Sequence, residues 1–159
     1  MKRKILSAVL ACLMLCGMMA PAALAAEAAP APDEVVSAAA PRASNWFSGG
    51  TGTLNTMGGK PSKYDPVSSG SVPAGALVTN VEVSVTVSRG SIPFYLVVVA
   101  PSGEKAERYI SASGRVEFDE FSKVDINPKG TWTIYIYNTG VSFTDVSTAS
   151  ARMTVTYSY

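Results

Sequence analysis

The sequence predicts an all-β domain, an antiparallel β-sandwich, behind an export leader. Three observations lead there. Val81, Val83, Val85 and Val87 alternate strictly with Glu82, Ser84, Thr86 and Ser88. The same period of two returns where Trp132, Ile134 and Ile136 alternate with Thr133, Tyr135 and Tyr137, and where Met153, Val155, Tyr157 and Tyr159 alternate with Arg152, Thr154, Thr156 and Ser158. No amphipathic helix of three turns follows the leader. Period two with β-branched and aromatic residues marks strands with one buried and one wet face.

The leader comes first in chain order. Lys2, Arg3 and Lys4 precede an apolar run over residues 5–20, and Ala23-Leu24-Ala25 supplies a small-x-small cleavage pattern. A signal peptide over residues 1–25 is the expectation, with the mature chain starting at Ala26. The run is shorter than the roughly 20 residues a spanning helix needs, and Pro21 interrupts it. Val9-Leu10-Ala11-Cys12 resembles a lipobox, but Leu13, Met14 and Leu15 stand where polar or small residues usually follow a lipidated cysteine. Both cysteines, Cys12 and Cys16, lie in the leader. The mature chain therefore has no thiol to oxidise, although its compartment permits disulfides.

Residues 26–43 are rich in Ala and Pro and lack aromatics, so they bury too little surface to offset ordering entropy. They are expected to be a disordered linker. Residues 44–159 change to Gly, Ser, Thr, Val and aromatics. These roughly 115 residues suffice for one core and not for two.

Within the domain, short strands are expected at residues 46–48, 51–55 and 106–111. The apolar run at residues 94–100 reads as a strand covered on both faces. Pro101-Ser102-Gly103 turns the chain. Val116 and Phe118 alternate with Arg115, Glu117 and Asp119 as a weaker strand. Asn127-Pro128-Lys129-Gly130 is a turn in which Pro presets φ and Gly takes the left-handed position. Six to eight strands in this length mean a sandwich or barrel. The expected core is Val81, Val83, Val85, Leu96, Val98, Trp132, Ile134, Ile136 and Val155. Residues 56–75 read as one long Gly/Pro/Ser-rich connection carrying Lys60, Lys63, Tyr64 and Asp65.

Composition excludes several chemistries. The chain has no His, so neither a Ser-His-Asp unit nor a His-ligated zinc is available. Of its 13 Lys and Arg, three leave with the leader, which sets 10 bases against 12 acids and gives no basic stripe for nucleic acid. Glu117 and Asp119, with Glu120 adjacent, are the one carboxylate group to weigh for glycoside hydrolysis. Side by side on a strand they do not face each other across a cleft, so a solvated strand face is the plainer reading. Asp125-Ile126-Asn127-Pro128-Lys129-Gly130 mimics the start of a calcium loop, yet Lys129 stands where an acid belongs. A structural Ca²⁺ built from scattered loops would draw on Asp65, Asp119 or Asp125. The better binding candidates are Tyr135 and Tyr137, which must face away from the Trp132 side, together with Tyr64 and Asp65 on the long connection. Exposed tyrosines pair a large apolar body with a hydroxyl and suit protein or glycan contacts.

Three segments carry a family resemblance. They are Val78-Thr79-Asn80-Val81-Glu82-Val83-Ser84-Val85-Thr86-Val87, Tyr95-Leu96-Val97-Val98-Val99-Ala100-Pro101-Ser102-Gly103, and Asn127-Pro128-Lys129-Gly130-Thr131-Trp132-Thr133-Ile134-Tyr135-Ile136-Tyr137-Asn138. Together they resemble the P (Homo B) domain of kexin- and furin-like proteases and the bacterial pre-peptidase C-terminal domain, over roughly residues 72–159. The resemblance implies a jelly-roll sandwich of the galactose-binding-like style. It departs where the P domain carries a His and an Asp near a strand start, since Ser91-Ile92-Pro93-Phe94-Tyr95-Leu96 has neither. The subtilisin-like catalytic domain is also absent.

Taken together, the chain reads as a secreted, noncatalytic binding or adhesion module for an extracellular glycan, cell-wall material or protein, without a transmembrane anchor once mature. A P-domain-like partner of an exported protease is the alternative, and a carboxylate-based glycosidase the remote one.

Overall fold

The computed structural model describes residues 42–90 and 92–159. The leader and nearly all of the expected linker lie outside the described residues. Nine strands form among the described residues: β1 (Ser44–Gly50), β2 (Leu54–Met57), β3 (Asp65–Ser68), β4 (Leu77–Arg89), β5 (Phe94–Val99), β6 (Lys105–Ile110), β7 (Gly114–Glu117), β8 (Thr131–Asn138) and β9 (Val146–Ser158). The only helical element among the described residues is a 3₁₀ turn at Asp119–Ser122. Every strand pairing is antiparallel.

Two sheets pack face to face. In the first, the order is β1-β9-β4-β7, and β2 also pairs with β9. β1 takes the Arg152–Ser158 half of β9 and β2 the Val146–Ala149 half. They thus form one edge strand with a break, where Thr51 N–H donates to the Ala151 carbonyl at 2.8 Å. The second sheet runs β3-β8-β5-β6.

The alternation decides what lies between the sheets. Val81, Val83 and Val85 face Val155, Met153 and Ala151 across the β4–β9 ladder. Leu96, Val98, Ile134 and Ile136 come from the opposite sheet, and all are buried. Each such side chain contributes about 1.5–3 kcal/mol by leaving water. Trp132 is fully buried among them, with Phe121 edge-on at 5.3 Å, and its indole N–H donates to the Pro128 carbonyl at 3.1 Å. The expected core is therefore the observed one.

The expected turn at Asn127 to Gly130 is only a bend at Gly130, whose N–H donates to the Ser69 hydroxyl at 2.9 Å rather than back to Asn127. The Asn127 carboxamide accepts the Lys129 N–H at 2.9 Å, and Gly130 holds φ +134°. At the end of β4, Gly90 has φ +105°, and a Cβ there would sit 2.2 Å from the Val146 carbonyl oxygen. Only glycine lets β4 turn so close to the start of β9.

Several expectations change. The strand holding Val116 ends at Glu117, and Phe118 turns into the 3₁₀ segment, so Glu117 and Asp119 do not share a strand face. Residues 56–75 are not one open connection, because they contain the end of β2 and all of β3. In the run at 94–100, Phe94, Leu96 and Val98 point into the core, while Tyr95, Val97 and Val99 line the outer face, where Val97 is buried and Tyr95 and Val99 are half-buried. Phe47 packs inward near Tyr157, at 6.3 Å between rings, whereas neighbouring Trp46 is exposed. Pairing starts one residue before β1, where Ala43 and Tyr159 exchange both backbone hydrogen bonds at 3.0 Å.

Candidate functional site

The outer face of the second sheet gathers five tyrosines. With Leu96 and Ile136 pointing into the core, Tyr95 on β5 and Tyr135 and Tyr137 on β8 must point out. Register then aligns them. Tyr95 lies opposite Tyr137 on one side and Tyr109 of β6 on the other. Val97 lies between Tyr135 and Glu107 in the next row. Tyr64, just before β3, comes beside Tyr135 because Asp65 pairs with Ile134.

The rings touch in two groups, one in each of two neighbouring rows. Tyr64 and Tyr135 have centroids 4.7 Å apart, Tyr95 and Tyr137 5.1 Å, and Tyr95 and Tyr109 5.5 Å. The Tyr95 and Tyr137 planes differ by 16°. Their separation matches the roughly 4.8 Å between neighbouring strands. Rings stacked along that direction stand upright on the sheet, so they present edges and hydroxyls to solvent. At the outer ends of the two groups, Tyr64 and Tyr109 are about 60% exposed (62% and 60%). Val97 beneath the rings is fully buried although it points away from the core.

One polar contact fixes Tyr137. The Tyr137 hydroxyl donates to Glu107 Oε2 at 3.1 Å. Burial, then this hydrogen bond to a carboxylate, raises the Tyr137 phenol pKa above its ordinary value. Both effects favour the neutral, donating phenol.

Of the residues singled out in the sequence, Tyr64, Tyr135 and Tyr137 come together here. Asp65 does not join them. Its carboxylate accepts the Gly52 N–H at 2.7 Å and pairs with Lys63 at 3.2 Å, which pins the break between β1 and β2. Asp119 is held by Lys123 and by Arg108, the latter at 3.2 Å. The Lys123 hydrogen bond, foremost, lowers its pKa. Asp125 is exposed and holds φ +45° at the approach to the Asn127 turn. Among the described residues, no group of three or more His, Cys, Asp or Glu side chains converges as metal ligands would. Glu117 lies opposite Glu82 on β4, whose carboxylate is taken by Arg115 at 3.2 Å. Tyr95 and Tyr109 are the site residues that sequence reasoning missed. Tyr95 carried a usable signal, since it alternates with Leu96.

No protein-family model matches the chain, and no curated protein matches it. Among solved structures, the chain is similar in fold to the crystal structure of FLHE, with a TM-score of 0.52 and 16% identity, over 76% of this chain and 100% of that one. At that identity the likeness concerns the fold alone.

Proposed function

We propose that this chain is an exported, noncatalytic binding module that holds an extracellular protein on its tyrosine face. The leader is cleaved after Ala25, and residues 26–43 tether the domain. We place the sandwich in the jelly-roll, galactose-binding-like style. The observation that carries the binding reading is the pair of adjoining tyrosine groups on one outer face, Tyr64 with Tyr135 and Tyr137 with Tyr95 and Tyr109. Tyrosine is enriched at protein interfaces because it brings large contact area with few rotatable bonds. Upright rings favour a protein over a glycan, since a sugar stacks on a ring face, and the Tyr95 and Tyr137 faces are turned to each other. Partnership with an exported protease is the specific form that the P-domain resemblance gives this reading.

Binding of the labelled, exported chain to cells that produce it tests the proposal. Tyr64→Ser/Tyr109→Ser removes the two most exposed rings and is expected to weaken binding by about tenfold or more, as loss of aromatic anchors does. The thermal melt should barely move, because solvent-facing changes cost little. Shaving the cells with protease should abolish binding. Binding that survives shaving and is displaced by soluble cell-wall glycan would replace the protein reading with the glycan one.

A further inference from the structure

One end of the sandwich carries a second feature, separate from the tyrosine face. The loop between β8 and β9 runs from Thr139 to Asp145 and is tied down along its length. Asp145 Oδ2 accepts the Val141 and Ser142 N–H groups at 3.1 and 3.0 Å. The Asp145 N–H returns to the Ser142 carbonyl at 2.9 Å, and the Ser142 and Thr144 hydroxyls pair at 2.9 Å.

The loop is also clamped to the turn after β2. The Asp145 carbonyl accepts the Gly58 N–H at 3.1 Å and the Asn138 side-chain amide at 2.8 Å. Asn138 Oδ1 accepts the Gly59 N–H at 2.9 Å. The Thr56 hydroxyl accepts the Asn138 N–H at 3.1 Å and donates to the Lys60 carbonyl at 2.6 Å. Asn138 and Thr56 are themselves buried.

This network holds large apolar side chains out in water. Val141 is 96% exposed, Phe143 73% and Met57 42%. A slack loop would fold such side chains back onto the sheets, because exposing them is unfavourable. A loop built to keep them out presents them to something else.

Charge points to what that is. The described segments forming this end, residues 57–62, 88–90, 92–93, 111–114 and 138–146, contain Lys60 and Arg89, and their one acid is Asp145. Asp145 is turned inward onto its own loop amides. Among the described residues, neither Lys60 nor Arg89 is in an ion pair. Beside Thr144 opens a polar cleft of about 520 Å³, lined by Asn55, Arg89, Gly90, Thr144, Val146 and Thr148.

We propose that this end docks on a bilayer containing anionic phospholipid. Val141, Phe143 and Met57 enter the interface, and Lys60 and Arg89 meet headgroup phosphates, with the Arg89 cleft receiving one of them. Three exposed apolar side chains offer far less than the roughly 800 Å² per partner of a stable protein interface. A bilayer needs no matching surface, and binding to it grows with buried apolar area and with attraction of cations to anionic lipid.

The test sediments the exported chain with vesicles, either pure phosphatidylcholine or equal parts phosphatidylcholine and phosphatidylglycerol. Binding is expected to the mixed vesicles, much weaker to the neutral ones, and falling with salt. Val141→Ser/Phe143→Ser should weaken it by about tenfold. Lys60→Gln and Arg89→Gln should each cost roughly fivefold on mixed vesicles only. All four side chains are exposed, so unchanged melts are the fold control. Tyr64→Ser/Tyr109→Ser should bind vesicles like the unaltered chain, which separates this proposal from the tyrosine face. No vesicle binding by the unaltered chain, or equal binding by Val141→Ser/Phe143→Ser, would overturn it. Loss of cell binding in Val141→Ser/Phe143→Ser without vesicle binding would instead assign the tip to a protein partner.

Discussion

Arg108 grips Glu120 with two parallel hydrogen bonds, Nη1 to Oε1 at 2.6 Å and Nη2 to Oε2 at 2.7 Å. Arg108 sits on β6 of the second sheet, and Glu120 in the 3₁₀ turn that follows β7 of the first. The pair is thus a clasp across the open side of the sandwich. The same guanidinium donates from Nε to the Glu117 carbonyl at 3.1 Å and lies 4.9 Å over the Phe118 ring.

An ammonium cannot reproduce that planar fork. Arg108→Lys is expected to lower stability by about 1 kcal/mol, a modest figure because solvent screens half-exposed carboxylates. The acid limb should change as well. The Arg108 hydrogen bond is the main cause holding the Glu120 pKa below the usual carboxylate value. A lowered folded-state pKa stabilises fully above the unfolded value of about 4.3 and loses that contribution as pH falls through the folded value. Urea midpoints followed from neutral pH to about pH 3 should therefore fall less steeply in Arg108→Gln than in the unaltered chain. Identical slopes would show that the clasp adds nothing to folding.

Trp132 fills the centre of the core with no exposure. Trp132→Ala is expected to cost about 3–5 kcal/mol in urea unfolding, as large aromatic truncations do. A loss under about 1 kcal/mol would mean that the core collapses around the gap far more completely than core truncations usually allow.

Gly90→Ala places a methyl group against the Val146 carbonyl and forces a left-handed φ on an alanine. The expected destabilisation exceeds about 1 kcal/mol, since the native conformation is incompatible with a side chain. A circular-dichroism melt reads it, with Gly103→Ala as reference: that glycine also has a positive φ, but its Cβ would meet nothing within 4 Å. The larger loss belongs to Gly90. Equal losses would make φ alone the cause.

Tyr137 should be among the last phenols to ionise in an alkaline ultraviolet titration, given burial and its bond to Glu107. Glu107→Gln removes a negative neighbour and should move that ionisation to lower pH. An unchanged curve would mean the 3.1 Å contact does not persist in solution.

What the sequence made legible follows its periodicity. β4, β8 and the second half of β9 alternate cleanly, and their buried faces follow from that alone. β3 escaped because Pro66 sits in a four-residue strand among turn-forming residues, and only pairing with β8 makes it a strand. The first half of β9 escaped because Ser147, Ala149 and Ala151 face inward where larger apolar residues are expected. The tyrosine face was half legible. Tyr135 and Tyr137 announce an outward face, but Tyr95 lay inside a run read as buried on both sides, and Tyr109 joins only through register. Asp65 stood next to Tyr64 in the chain, yet one residue along a strand reverses the side-chain direction. Asp119 read as strand because nothing local marks the onset of a 3₁₀ turn after Phe118.

The broken edge made by β1 and β2 leaves β9 flanked on both sides, so the strand made last among these nine is the middle of its sheet. Thr51 meets Ala151 from 100 residues away. During synthesis, β1, β2 and β4 therefore wait without their shared partner, and the first sheet closes only once Val146–Ser158 has emerged. Such distant pairing makes folding slow, on the scale of milliseconds to seconds for domains of this kind.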